Sequence, residues 1–277
     1  MTPQTITIAT ISHIEDSLNE ALSLEAVARR VGYSSFHLHR VFSQTVGMPM
    51  HAYIRRRRLT EAAKRIVLSD DPIMDIAFAA GYESQQSFTM AFKAMYKHPP
   101  SQFRRMGRYY PLQLPFHFCS DTSGRASSEG TATLLAQGSD INDWMRLVRL
   151  VIDGFPGLDE EEHATTLKRY IAGRSAFIMK DRGEAIGLMM LSPSKSCIDF
   201  LGVHPFHRRG NTAAALVTEA IRLMPGKDTI SLTTFRKNDA ADTGHRRLFE
   251  SLGFAERDLL IEFGYPTQRM SLPIRRS

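Results

Sequence analysis

Two periods divide this chain. Its front half carries apolar residues at helical spacing, and its rear half alternates helical stripes with short strand-like runs. Leu24, Val27, Ala28 and Val31 lie at i, i+3, i+4 and i+7, which predicts a helix with one apolar face. Ser23 is placed to cap its start, Leu22 to staple onto Val27, and Gly32 to end it in a left-handed turn. Ser34 or Ser35 then opens a second helix that turns Leu38, Val41 and Phe42 inward and Phe36, His39, Arg40 and Ser43 outward. The unit repeats. Ile73, Ile76, Ala77, Gly81 and Tyr82 follow Leu24, Val27, Ala28, Gly32 and Tyr33 at an offset of 49, and Phe88 and Phe92 follow Leu38 and Phe42 at 50. The second copy therefore has one extra residue at its turn. Each copy reads as a helix-turn-helix, and Met50–Leu68 between them reads as one long helix.

From Ile141 the pattern changes. Helices are expected over Ile141–Ile152 and Asp159–Ala172, the latter with an acidic first turn that suits the helix dipole. Strands are expected at Ser175–Met179, Ala185–Leu191, Cys197–Val203, Ile230–Thr234, Leu259–Phe263 and Arg269–Leu272. A loop from His204 leads into a helix reaching about Met224, and Gly244–Ser251 reads as another helix. The fold class is multidomain: an all-α double helix-turn-helix domain followed by an α+β domain with a mixed central sheet.

Composition supports two domains. The 277 residues are 43% hydrophobic and 23% charged, enough for two cores and outside the disordered class. Residues 1–118 form the first domain. The small polar stretch over 119–139 reads as a flexible linker, and residues 140–277 form the second domain. The net charge of +6 is unevenly spread: residues 1–110 hold 14 Lys+Arg against 9 Asp+Glu. That favours an anionic partner for the front half. No run approaches the ~18 apolar residues of a membrane span, and the first residues lack a secretory leader pattern, so a cytoplasmic protein without a membrane partner is expected. Two cysteines, Cys119 and Cys197, make no disulfide framework, and the histidines show no metal spacing, so no metal is expected.

The outward residues of the front half suit base reading. Arg40 can grip guanine, Gln85 and Gln86 adenine, and Phe36 and Thr89 a thymine methyl; His39, Met90 and Lys93 share those faces. Met50–Leu68 spans about 28 Å at 1.5 Å per residue, against about 34 Å between successive major-groove faces. Two reading helices on such a rod could enter adjacent grooves from one chain. Arg55, Arg56, Arg57 and Arg58 lie on that rod. Arg55 and Arg58 are expected as phosphate contacts, since four consecutive residues point around the whole helix.

The segment Ile11–Met106 resembles the DNA-binding domain of the AraC/XylS family. The resemblance is carried by Leu22–Ala28, Gly32-Tyr33-Ser34, His37-Leu38, Arg40, Phe42, Tyr53-Ile54-Arg55 and Arg58-Leu59. In the second copy it is carried by Ile73, Ile76-Ala77, Gly81–Phe88, Phe92-Lys93, Pro99-Pro100 and Phe103-Arg104. It implies recognition positions at Phe36, His39, Arg40, Gln85, Gln86, Thr89 and Met90, double-stranded promoter DNA as partner, RNA polymerase as a second partner, and a place at the nucleoid as an activator or a repressor. Close relatives often carry Arg where Met90 stands, so one guanine contact is missing here.

The rear half holds a strand ending at Val203, then Pro205, then Arg208-Arg209-Gly210-Asn211-Thr212-Ala213 opening a helix. Backbone N–H groups at such a helix start suit a pyrophosphate. With Leu201, Leu216, Leu248–Phe254 and Tyr265–Leu272 this is similar to the GNAT acyltransferase superfamily. The resemblance implies acetyl-CoA as cofactor, held by Val203 and residues 208–213. Asn211 stands where the family has glycine, but asparagine tolerates left-handed angles. His204 and His207 would face the phosphate. Phe249 stands where a general-acid Tyr is common. Asp199, taken to share a strand face with Leu201 and Val203, is the candidate base, and Tyr265 and His245 are further proton-transfer candidates. The function implied is a sequence-specific regulator whose second domain either senses a small-molecule ligand or transfers acetyl to an amine. The alternative is an N-acetyltransferase localised by its DNA-binding module.

Overall fold

The computed structural model describes residues 2–20, 22–118 and 132–274. The chain divides into two compact units, residues 1–124 with 239–243, and residues 125–238 with 244–277.

The first unit contains helices α1 (Pro3–Asp16), α2 (Leu24–Val31), α3 (Ser35–Val46), α4 (Met50–Leu68), α5 (Ile73–Ala79), α6 (Gln85–Tyr96) and α7 (Pro100–Met106). Ser23, Ser34 and Ser84 accept the N–H groups of Ala26, His37 and Ser87 at 3.1, 3.3 and 3.2 Å and so cap α2, α3 and α6. Gly32 and Gly81 take φ of +78° and +80° at the two turns, where a side chain would be strained. Helix α1 was not legible from the sequence. Its threonines disfavour a helix locally, but Thr7 and Thr10 donate to Pro3 O and Ile6 O, and Ile6, Ile11 and Ile14 are buried. Leu38, Phe42, Phe88 and Phe92 are buried as their spacing requires.

The second unit is built on a seven-stranded sheet in the order β1-β2-β3-β4-β5-β7-β6. The strands are β1 (Thr133–Leu135), β2 (Ala176–Asp181), β3 (Glu184–Ser192), β4 (Cys197–Val203), β5 (Thr229–Phe235), β6 (Ala255–Glu262) and β7 (Tyr265–Pro273). Helices α8 (Ile141–Leu150), α9 (Glu160–Ala172), α10 (Thr212–Arg222) and α11 (His245–Ser251) accompany it. The sheet is mixed: β4 and β5 run parallel and the other neighbours antiparallel. Leu216, Val217 and Ala220 of α10 join Met189, Leu201 and Ile230 in one buried cluster.

Three expectations about this unit are corrected. Residues 119–131 of the expected linker lie outside the described residues, but its end is not linker. Thr133–Leu135 pair with Met179, Ile178 and Phe177, because backbone pairing stabilises a strand too short to show its own periodicity, and Gly138–Asp140 form a 3₁₀ turn. The helix expected over Ile141–Ile152 stops at Leu150, and Ile152–Gly154 form a 3₁₀ turn. The strand face assigned to Asp199 is also wrong. Met190 pairs with Phe200 and Leu191 with Ile198, so Asp199 is the extra residue of a β-bulge. Beyond the bulge the alternation resets: Ile198, Leu201 and Val203 share the face under α10, and Asp199 is exposed.

Candidate functional site

In the first unit the outward faces of α3 and α6 are open. Phe36 is 81% exposed and Met90 68%; His39, Arg40, Gln85, Gln86 and Lys93 are exposed, and Thr89 is half-buried. By the repeat offset Arg40 and Met90 occupy equivalent places.

The arginine run of α4 separates into four environments. Arg55 is exposed. Arg56 is buried and donates to Leu112 O at 2.7 Å. Arg57 is buried against Glu15 at 2.8 Å and Glu61 at 2.9 Å. Burial alone would lower its pKa, but the bonds and charge of Glu15 hold it above the usual value. Arg58, expected to meet phosphate, is engaged within the chain. Its Nε donates to Leu18 O at 2.9 Å and its Nη2 to Glu20 O. A Cβ at Gly81 would stand 2.7 Å from its Nη1. Arg58 thus ties the chain before α2 to the second turn. The helix rotation that exposes Arg55 carries Arg58 under Gly81, a fold constraint that the run itself does not reveal.

That difference has a measurable consequence. Arg58→Ala should cost about 1 kcal/mol, since its carbonyl partners can rehydrate, and lower Tm by about 4 °C. The salt slope of DNA binding should stay unchanged. Arg55→Ala should leave Tm alone and reduce that slope by about one phosphate contact. Thermal melts and a salt titration of both variants decide between the two roles.

In the second unit β4 and β5 pair only at Cys197 and Ser231, with Ser231 N donating to Ser196 O at 2.8 Å. Beyond that point they part. A cavity of about 630 Å³ opens there, bounded by β4, β5, α9 and the β6–β7 hairpin. Asp199 and Tyr265 both line it, as do His245 and Phe249. Tyr170 donates to Asp199 at 2.9 Å. Burial, with the charge of Asp199 beside it, pushes the Cys197 thiol up to about 11, so it is an unreactive thiol at neutral pH.

At the start of α10, Arg209, Gly210 and Asn211 are exposed, and Thr212 and Ala213 are buried. The first amides of a helix have no intrahelical acceptor, so the N–H groups of residues 212 and 213 stand at an anion-favouring end. The expected left-handed backbone is absent: Asn211 has φ −86°, because the chain enters α10 through right-handed turns in which Gly210 N donates to His207 O. Asparagine at 211 therefore carries no backbone strain.

Arg208 does not extend to the anion site. Its Nη1 and Nη2 grip Asp153 at 2.9 and 2.6 Å, and its Nε lies 3.4 Å from Val203 O. A buried carboxylate close to a loop arginine outcompetes solvent for it. Burial would raise the pKa of Asp153, but Arg208 and then His245 overcome that and hold it well below the carboxylate range. His204 is also turned inward rather than toward a phosphate: it is 2% exposed and its Nδ1 accepts from Phe206 N. Burial pushes its pKa down to about 3, so the ring is neutral.

Sequence reasoning missed Asp153 and His163. Asp153 interrupts the apolar run Val151-Ile152-x-Gly154-Phe155, and an acid so placed needs a buried cation. His163 lines the cavity and its Nε2 accepts the Trp144 indole at 3.0 Å. Burial pushes it down to about 4. Among the described residues no group of His, Cys, Asp and Glu is placed to hold a metal ion, and no helix is long and apolar enough to cross a membrane.

Paired helix-turn-helix motifs ahead of a splayed mixed sheet define a helix-turn-helix protein with a fused acyltransferase-type domain. A helix-turn-helix domain family matches residues 27–106, and the acetyltransferase (GNAT) family matches residues 144–254. The multiple antibiotic resistance protein MarA of Escherichia coli K12 is 44% identical over 91 residues, 33% of this chain and 72% of MarA. The uncharacterized HTH-type transcriptional regulator YbfP of Bacillus subtilis is 44% identical over 95 residues, 34% of this chain, which thus spans only 32% of that relative's length. A solved GNAT-family acetyltransferase from Bacillus cereus aligns over 53% of this chain and 99% of its own, at a TM-score of 0.42 and 18% identity. The chain belongs to the AraC-type family of helix-turn-helix transcriptional regulators and carries a GNAT-family domain behind that module.

Proposed function

We infer that the protein regulates transcription by binding promoter DNA with α3 and α6, and that its second domain binds acetyl-CoA and transfers acetyl slowly. Phe36 and Met90 carry the DNA half of this reading. Large apolar side chains 81% and 68% exposed, on the two reading helices, need a surface to cover them. Base edges supply one, with Phe36 able to meet a thymine methyl. His39, Arg40, Gln85, Gln86, Thr89 and Lys93 surround them with hydrogen-bonding groups, and Arg55 is left for phosphate. RNA polymerase is the protein partner expected of such a regulator, and the cytoplasm, at the nucleoid, its place.

The acetyl-CoA half rests on the parted β4 and β5 and on the start of α10. Val203 ends β4 where the strands diverge, and the amides from Arg209 to Ala213 lead into the helix. Arg209, exposed, supplies the loop's charge toward a pyrophosphate, while Arg208 shapes the loop through Asp153. The enzyme-first alternative has no observation of its own in its favour.

Because both reading helices belong to one chain, a single protein molecule should occupy both half-sites. The full chain, titrated onto operator fragments recovered from a genome-wide map of bound sites, should saturate with a first-power dependence on protein concentration. A second-power dependence would reject this reading in favour of a dimer.

A further inference from the structure

We infer that the cavity where β4 and β5 part takes a primary ammonium carried on an aromatic ring, an arylalkylamine, as the acetyl acceptor. Calling that amine the acceptor rests on the acetyl-CoA reading above; its binding is argued from the cavity itself. A space of about 630 Å³ suits a small organic molecule. Among the described residues, neither Val203 nor residues 209–213, which that reading gives to acetyl-CoA, line it. The cavity is left for the second substrate.

Flat rings form part of its wall. Phe155 lies face to face with Phe200, centroids 4.1 Å apart and planes at 20°, and His163 meets Phe200 at 4.7 Å. Burial keeps this imidazole neutral, so the rings add no positive charge. Such a wall favours a flat guest by offset stacking and attracts an ammonium over a ring face. The charge of the cavity selects in the same direction. Asp159, Glu162, Asp199 and Glu262 line it, against Lys195 and Arg269. Among the described residues no cation pairs with any of these four carboxylates: Asp159 caps α9, and Asp199 and Glu262 accept the hydroxyls of Tyr170 and Thr267. Arg269 meets Asp258 at 3.2 Å, which offsets its charge. The excess of carboxylates draws in a cation and opposes the phosphates of acetyl-CoA.

The β6–β7 turn adds a third ring. Glu262 pairs with Tyr265, so Phe263 and Gly264 form a two-residue hairpin turn, at φ +52° and +77°. Such a turn favours Asn-Gly, and a bulky side chain at its first position costs backbone strain. Burial does not offset that cost, because Phe263 is 65% exposed, yet it lines the cavity. Gly157, on the loop before α9, comes against the same residue: a Cβ there would stand 3.1 Å from Phe263 Cβ. A guest ring in the cavity supplies the contact that the exposed phenyl lacks. Phe263 is the specificity-determining residue for the ring in this assignment. Glu162, exposed on α9 next to His163, is the one for the charge.

The test titrates the full chain by calorimetry with 2-phenylethylamine, its saturated analogue 2-cyclohexylethylamine, and phenylacetate, each with and without acetyl-CoA. Emission of Trp144, the one tryptophan of the chain, follows the same site, because its indole donates to His163 Nε2 at 3.0 Å. The aromatic amine should bind about two- to tenfold tighter than the saturated one, and more than about tenfold tighter than phenylacetate. Phe263→Asn, which eases the turn, should melt no lower than the parent and bind 2-phenylethylamine about three- to tenfold more weakly. Glu162→Gln should narrow the preference for 2-phenylethylamine over phenylacetate by about threefold. Thiol release from acetyl-CoA should follow the same order of amines. Phenylacetate or the saturated amine bound as tightly as 2-phenylethylamine overturns the inference, and so does unchanged amine affinity in Phe263→Asn. Absence of acetyl-CoA binding at millimolar ligand, with the order of amines intact, instead overturns the acetyl-CoA reading alone.

Discussion

Phe249→Tyr should raise thiol release from acetyl-CoA by about 10²-fold while leaving acetyl-CoA affinity unchanged. Phe249 is 5% exposed, stands edge-on to Phe254 with ring centroids 6.0 Å apart, and also lines the cavity where β4 and β5 part. The ring offers no proton at the position where GNAT members commonly carry a phenol. A general acid contributes about 10²–10⁴-fold. The lower end applies because a thiol of pKa about 8.5 leaves fairly well as the anion. Phe249 borders this cavity as well as the buried cluster, so thermal melts of Phe249→Tyr beside the assay check that the fold accepts the hydroxyl. Binding and transfer should therefore separate in the parent protein: acetyl-CoA binds, and transfer is slow. Calorimetry beside a thiol-release assay measures both. Fast transfer in the parent, unaltered by Phe249→Tyr, would show that Tyr265 or a water already supplies the proton.

Arg40→Ala should weaken operator binding by about 1–3 kcal/mol, roughly five- to 150-fold in Kd, and relax preference at a single base pair. Arg40 is the one guanidinium on α3 or α6 and is exposed. Its two-pronged geometry matches guanine O6 and N7. Its counterpart in α6 is Met90, which has no donor, so the two half-sites should be read unequally, with Arg40 carrying the guanine discrimination of the pair. Binding to a library of single-base operator variants checks this. A loss spread evenly over all variants, with a shallower salt slope, would make Arg40 a phosphate contact.

The sequence by itself determined the repeat, the bounds of α4, the cap at Ser23 and the outward faces of α3 and α6. Each of these follows from contacts between residues a few positions apart, where helical period, capping side chains and turn glycines act directly. The GNAT resemblance likewise came from short local runs around Val203–Leu216 and Leu248–Phe254. Only the tertiary structure decided which arginines are available. Arg55 and Arg58 look alike in the run, yet Arg58 is bound to the carbonyls of Leu18 and Glu20 beneath Gly81, while Arg208 is claimed by Asp153, 55 positions away. Charged side chains are long and take the nearest buried acceptor, and that acceptor is supplied by another element. The bulge at Asp199 has the same origin: register is set by the partner strand β3, and one extra residue reverses the face of a side chain that perfect alternation would have turned toward Val203.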